Sequence, residues 1–160
     1  MLKGVHPLLT PELLGVLAAM GHGDDLAVVD ANFPATSVAV ETAHGRPIYL
    51  PGASLAEAVE AVLSLFPLDS FVDQPALCMA SDSGPSEMPP VQKEVQLVVD
   101  AAEGRHLPLG SLERFAFYEA AEASYAVVQT GERRWWGDVL LKKGAFVPEG
   151  ATAPKGHGVA

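Results

Sequence analysis

The chain has 160 residues, 49% of them hydrophobic and 19% charged, which describes one globular domain with room for a core rather than a disordered segment. Ten Lys and Arg against twenty Asp and Glu give a net charge of −10, which argues against nucleic acid or an anionic membrane surface as partner, because both demand clustered cations. The lone Cys78 excludes an internal disulfide and any CxxC metal site, and no segment reaches the ~18 apolar residues that span a bilayer. The opening MLKGVHPLL meets Pro7 and Pro11 before it attains signal-peptide length, so a cytoplasmic protein is expected.

In chain order, the first element is a helix. Thr10 suits the N-cap, Pro11 the first turn, and Leu13, Leu14, Leu17 and Ala18 form an apolar stripe. Gly21 follows where a left-handed C-terminal cap belongs. Leu26 to Val29 reads as a buried strand ending at Asp30, and Ser37 to Glu41 as a second, shorter strand. Ser54-Leu-Ala-Glu57 is a capping box that opens a helix to about Phe66. Leu77 to Ala80 is a short strand, and Ser81 to Pro90 a polar loop.

Val91 to Glu103 again has helical spacing, and Glu113 to Ala123 is read as another helix. Tyr125 to Thr130 and Trp135 to Leu141 are expected as strands joined by Gly131-Glu-Arg-Arg. Residues 149–160 hold little to bury and are expected as a mobile tail after a single domain over 1–148. Alternating helices and strands give the class: α/β, three layers, with a largely parallel central sheet and flanking helices.

Candidate chemistry gathers at His22, at Asp30 and at Trp135 to Asp138. His22 sits between Gly21 and Gly23, and a histidine exchanges protons near neutral pH. The bland alternative is a histidine that merely contacts a helix-terminal carbonyl. Asp30 ends an apolar strand, and open α/β sheets collect ligands at the carboxyl ends of their strands; the alternative is a cap or turn residue for the Ala-Asn-Phe-Pro segment that follows. His22, Asp24 and Asp30 lie at spacings that match no familiar metal-ligand pattern, so no metal is expected. Phe115, Phe117 and Tyr118 read most simply as core. Trp135 and Trp136, adjacent on an expected strand, face opposite ways, and an aromatic face beside Gly137 and Asp138 suits a sugar, the ring covering C–H groups while the carboxylate takes hydroxyls; the alternative places one Trp in the core and the other at a subunit interface.

The stretch LLTPELLGVLAAMGHGDDLAVVDANFPA, followed by ERFAFYEAAEASYAVVQTGE and LLKKG, resembles the family of L-fucose mutarotases and D-ribose pyranases over nearly the whole chain. The resemblance implies a cofactor-free isomerase that interconverts forms of a reducing monosaccharide, L-fucose or a related sugar such as D-ribose. It matches His22 to the family's acid/base histidine, and Asp30 and Arg114 to substrate-binding positions. Trp136-Gly137-Asp138 falls where fucose enzymes usually read Tyr-Gly-Asn, so two of these three residues depart from that pattern. The family also implies a homo-oligomer, a decamer with sites near subunit boundaries. The rival expectation is a sugar-binding accessory protein without turnover.

One geometric constraint comes from the residues themselves. A strand over Leu26 to Val29 separates its ends by roughly 10–13 Å at about 3.3 Å per residue. His22 precedes it and Asp30 follows it. Either the loop around Gly21 to Asp25 folds back along the sheet, or the two residues serve a site shared between subunits.

Overall fold

The computed structural model describes residues 2–82 and 87–146, so the expected tail over 149–160 and residues 83–86 of the expected polar loop lie outside the described residues. In chain order the elements are α1 (Pro11–Ala19), β1 (Asp25–Val29), α2 (Ala35–Ala39), β2 (Ile48–Leu50), α3 (Leu55–Leu63), β3 (Ala76–Met79), α4 (Pro90–Glu103), β4 (Gly110–Leu112), α5 (Arg114–Glu122), β5 (Ala126–Thr130) and β6 (Val139–Lys142).

The six strands form one sheet in the order β2-β5-β1-β6-β3-β4. Pairs β2/β5, β1/β5 and β3/β4 are parallel, while β6 runs antiparallel to both β1 and β3. The sheet is thus mixed but mostly parallel, in agreement with the expected α/β class.

Alternation along the strands divides the core in two. Leu26 and Val28 of β1 join a cluster with Leu13 of α1, Val59 and Val62 of α3 and Val95 of α4. Ala27 and Val29 point the other way, toward Val38 of α2 and Phe117 of α5. Helices therefore cover both faces, as a sheet hydrophobic on both sides requires. Among the described residues no helix is long and apolar enough to cross a membrane.

Local signals account for several boundaries. The Thr10 hydroxyl accepts the Leu13 N–H at 3.2 Å, and Pro11 occupies the first turn. The Ser54/Glu57 capping box forms in both directions, although α3 stops at Leu63 rather than Phe66. Glu113 caps α5 by accepting the Phe115 and Ala116 N–H groups.

Three expectations are overturned. Residues Ser37 to Glu41 are not a strand, since α2 covers Ala35–Ala39. A strand would put Val38 and Val40 on one face, yet Val38 is buried and Val40 is 63% exposed. Gly21 is not a left-handed cap either. Met20 ends α1 in extended conformation, the positive φ falls at Gly23, and the Lys143 ammonium takes the terminal carbonyls of Leu17 and Met20. Finally, β6 begins only at Val139, so Trp135 and Trp136 lie on a turn and not on a strand with opposite faces. The edge strands β2 and β4 escaped the sequence reading because three residues carry no measurable period.

Candidate functional site

Asp30 stands just beyond the C-terminal end of β1. Its Oδ1 accepts the backbone N–H groups of Asn32 (2.8 Å) and Phe33 (3.0 Å), an Asx turn that swings the chain into α2. The Gln129 side-chain amide, at the end of neighbouring β5, donates to the Phe33 carbonyl at 3.0 Å, and the Thr130 hydroxyl donates to the Val29 carbonyl at 2.9 Å. The turn is therefore held from the sheet itself.

Asp138 arrives from the other direction. The antiparallel register pairs Val28 with Val139, which sets Asp138 beside the end of β1. Its Oδ1 accepts the Asp30 N–H at 3.1 Å. Both carboxyls are buried, and neither forms an ion pair among the described residues. Burial raises the Asp30 pKa, opposed by the N–H groups of Asn32, Phe33 and Gly137. Burial, and then the negative charge of Asp30, push Asp138 up to about 7.

The turn carrying Trp136 is clamped by α4. The Gln92 side-chain amide donates to the Met79 carbonyl (2.8 Å) and the Trp136 carbonyl (3.0 Å). Arg134 bridges the buried Glu132 carboxylate and Glu94 of α4, and the Arg134 guanidinium holds Glu132 down at about 2. Trp136 itself has φ +67°, a left-handed conformation that is strained for so large a side chain. Gly137 follows without a side chain because a Cβ there would stand 2.9 Å from Glu132 Cγ and 3.2 Å from Asp30 Cβ.

Opposite this turn, α5 contributes Arg114 and, one turn later on the same face, Tyr118. The Tyr118 ring packs at 5.3 Å from the ring of Phe33. Arg114 is exposed and lies over the Phe115 ring. Between these elements opens a cavity of about 260 Å³ whose lining includes Asp30, Asp138, Arg114, Tyr118 and both tryptophans. It falls just below the ~300–1,000 Å³ of drug-sized sites, a scale suited to a monosaccharide. A wider groove between α3 and α4 is mostly aliphatic and gathers no converging polar groups apart from Glu60 and Ser64.

Of the six residues selected from the sequence, Asp30, Arg114, Trp136 and Asp138 line this cavity and Gly137 forms its turn. His22 does not line it. The loop before β1 does not fold back: the Gly23 N–H bonds the Lys143 carbonyl at 2.8 Å, at the opposite end of β1. There His22 Nε2 lies 3.0 Å from Asp69 Oδ1, with His22 about half exposed and Asp69 buried. A carboxylate only accepts, so in neutral His22 the proton sits on Nε2 and the lone pair on Nδ1. The Phe71 ring packs at 5.2 Å, and Asp69 Oδ1 also accepts the Phe71 N–H.

Sequence reading missed Asp69, Gln92 and the cavity role of Tyr118. Phe115, expected in the core, is 61% exposed, whereas Phe117 is fully buried as expected. Tyr118 carried a usable signal in its i+4 spacing from Arg114. Asp69 and Gln92 carried none, since their partners are distant in sequence.

Three comparisons bear on this arrangement. The model of the RbsD / FucU transport protein family matches residues 3–146. An L-fucose mutarotase of Haemophilus influenzae (strain 86-028NP) is 44% identical over 144 residues, covering 90% of this chain and 96% of that one. Among solved structures, FucU from Bifidobacterium longum is similar at 37% identity and TM-score 0.83, covering 91% of this chain and all of the other. The fucose mutarotase from Streptococcus pneumoniae, solved in complex with L-fucose, is similar at 33% identity and TM-score 0.81 with the same coverage.

Proposed function

This chain belongs to the RbsD / FucU transport protein family, and from that premise we propose that it is a sugar mutarotase, an isomerase that interconverts the anomers of L-fucose or a related reducing monosaccharide such as D-ribose. The observation that carries the reading is the cavity at the carboxyl ends of the strands, where two buried carboxyls, a guanidinium and aromatic rings converge at monosaccharide scale.

The reaction makes modest demands. A base takes the anomeric hydroxyl proton, an acid protonates the ring oxygen as its bond to the anomeric carbon breaks, and the free aldehyde rotates and recloses on its other face. No C–H bond breaks, so proton transfer alone suffices, typically ~10²–10⁴-fold for a positioned group. His22 is the acid/base group. Its tautomer is set by Asp69, so Nδ1 is the nitrogen that moves the proton. Asp30 and Arg114 fix hydroxyls; Trp136, Gly137 and Asp138 orient the ring. No cofactor or metal is invoked.

Because His22 stands at the other end of β1 from the cavity, the working unit is a homo-oligomer in which His22 of one subunit completes the cavity of another. The resemblance points to a decamer, and the sequence reading to a single domain over residues 1–148 acting in the cytoplasm. The same separation favours one alternative, a monosaccharide-binding accessory protein without turnover, since a single subunit holds the binding groups without the histidine.

Saturation-transfer NMR on L-fucose and D-ribose separates the two. Accelerated anomer exchange in either sugar supports the mutarotase, and its loss in His22→Ala with assembly intact supports the histidine. A sugar that binds with unchanged exchange supports the accessory protein and ends the enzymatic reading.

A further inference from the structure

The cavity places two carboxyls side by side with unequal support. Asp30 Oδ1 receives two backbone N–H donors, at 2.8 and 3.0 Å, and the Gly137 N–H adds to its stabilisation. Asp138 receives a single N–H, that of Asp30, on Oδ1. Its Oδ2 takes no hydrogen bond from the described residues, yet it is not a sealed, unsatisfied atom, so it opens on the cavity that Asp138 lines. Two buried carboxyls without a paired cation do not both ionise cheaply. The charge settles where N–H donors converge, on Asp30, and the proton stays on the carboxyl that lacks them.

We propose that Asp138 is a second catalytic residue: it stands protonated beside an ionised Asp30 and hands its proton to the sugar's ring oxygen as the ring opens. This rests on the mutarotase reading. In the forward step His22 takes the anomeric hydroxyl proton, the electron pair forms the carbonyl, the bond from anomeric carbon to ring oxygen breaks, and that oxygen takes the Asp138 proton. On closure the ring hydroxyl returns its proton to the Asp138 carboxylate as its oxygen attacks the rotated aldehyde, and the carbonyl oxygen regains the proton from His22. Each group ends as it began. The acid thus comes from the subunit that holds the sugar and the base from the far end of another.

The groups that face Asp138 leave it free to act so. Asp30 at the end of β1 opposes its ionisation. The Cys78 thiol of β3 is fully buried and pushed up to about 12, so it stays neutral. Arg114 and Tyr118 of α5 stand across the cavity, and α4 presents the uncharged Gln92 to the neighbouring carbonyls. Glu132, behind Asp30, is paired with Arg134, which it shares with Glu94, and its remaining charge bears on Asp30. Burial holds the Asp138 carboxyl protonated up to about pH 7.

The test is the pH dependence of anomer exchange in wild-type protein and Asp138→Asn, with L-fucose and D-ribose as probes. An acid must be protonated to act, so wild-type exchange falls as pH rises past neutrality. Asp138→Asn keeps sugar binding in calorimetry, exchanges roughly 10²-fold more slowly, and loses that alkaline fall. An Asp138→Asn protein that exchanges at the wild-type rate overturns Asp138 as the acid while leaving the mutarotase reading intact. A wild-type protein that binds sugar without accelerating exchange at any pH removes both. Independently of activity, 13C NMR of the aspartate carboxyls in wild-type protein should show one resonance titrating near neutral pH, absent from Asp138→Asn and moved to lower pH, but still above the ordinary aspartate range, in Asp30→Asn. The proposal is equally overturned if the Asp138 carboxyl titrates in the ordinary aspartate range.

Discussion

His22 Nε2 meets Asp69 Oδ1 at 3.0 Å, forty-seven residues away, and this contact decides which face of the imidazole is available for chemistry. Asp69 is itself fixed, since the same oxygen accepts the Phe71 N–H at 3.0 Å. Replacing Asp69 with Ala releases both the ring and the Phe71 turn. The expected outcome is an anomer-exchange rate at least roughly tenfold lower with sugar affinity retained, since losing a histidine's orienting carboxylate costs ~10–100-fold at metal sites and ~10⁴-fold in a catalytic triad. Exchange spectroscopy beside a calorimetric sugar titration checks it; an unchanged rate would sink the orienting role.

A site shared between subunits makes a quantitative prediction. His22→Ala and Asp30→Asn subunits are each inactive alone, because every site in either oligomer lacks one residue. Unfolded together in equal amounts and refolded, they regain about one quarter of wild-type exchange, since random mixing in a symmetric oligomer leaves that share of sites with both native residues. A site built within one subunit regains nothing.

Asp138 links stability to pH. Its folded pKa, about 7, lies above the ordinary aspartate value, so its contribution is fully present below the unfolded pKa and is lost as pH rises through about 7. Asp138→Asn removes the need to ionise a buried carboxyl. The variant should therefore gain Tm relative to wild type between pH 5 and pH 8, by the equivalent of a few kcal/mol at the alkaline end. Parallel melting curves at the two pH values measure it, and a pH-independent difference would contradict it.

Gly137 has no room for a side chain. Ala at this position would press Glu132 Cγ at 2.9 Å, Asp30 Cβ at 3.2 Å and the Arg134 carbonyl oxygen at 3.3 Å. Overpacking of this kind costs ~1–3 kcal/mol. The displaced groups support the cavity, so denaturant midpoint and sugar affinity should fall together.

Gln92 spends both amide hydrogens on carbonyls, those of Met79 and Trp136. Gln92→Leu leaves two acceptors unpaired at a cost of ~1–3 kcal/mol each where they stay dry. It also frees the strained turn at Trp136. The expected readout is a raised KM with kcat less affected, because Trp136 is proposed to orient the sugar and carries no transferable proton.

How much of this was legible beforehand depends on the range of the interaction. Thr10, Pro11 and the Ser54/Glu57 box set their helix starts through contacts three residues long, and those starts are read directly from the chain. The α2 segment was misread because Ser-Val-Ala-Val alternates like a strand; Pro34, and the burial of Val38 but not Val40, make it helical. The tryptophans were misplaced because β6 starts late, at Val139, and a positive φ at Trp136 has no signature in residue type.

By itself the sequence determined the α/β class and the strand leading to Asp30, because hydrophobic period and capping chemistry act within a few positions; the candidate site residues in two distant stretches came from the family resemblance. Only the tertiary structure decided that Asp138 meets Asp30 across 108 residues while His22 stays at the far end of β1 with Asp69. The register of β6 against β1 sets the first relationship, and the Gly23–Lys143 bond that ties down the loop before β1 sets the second. Both are pairings between segments remote along the chain, and they form only when the sheet closes.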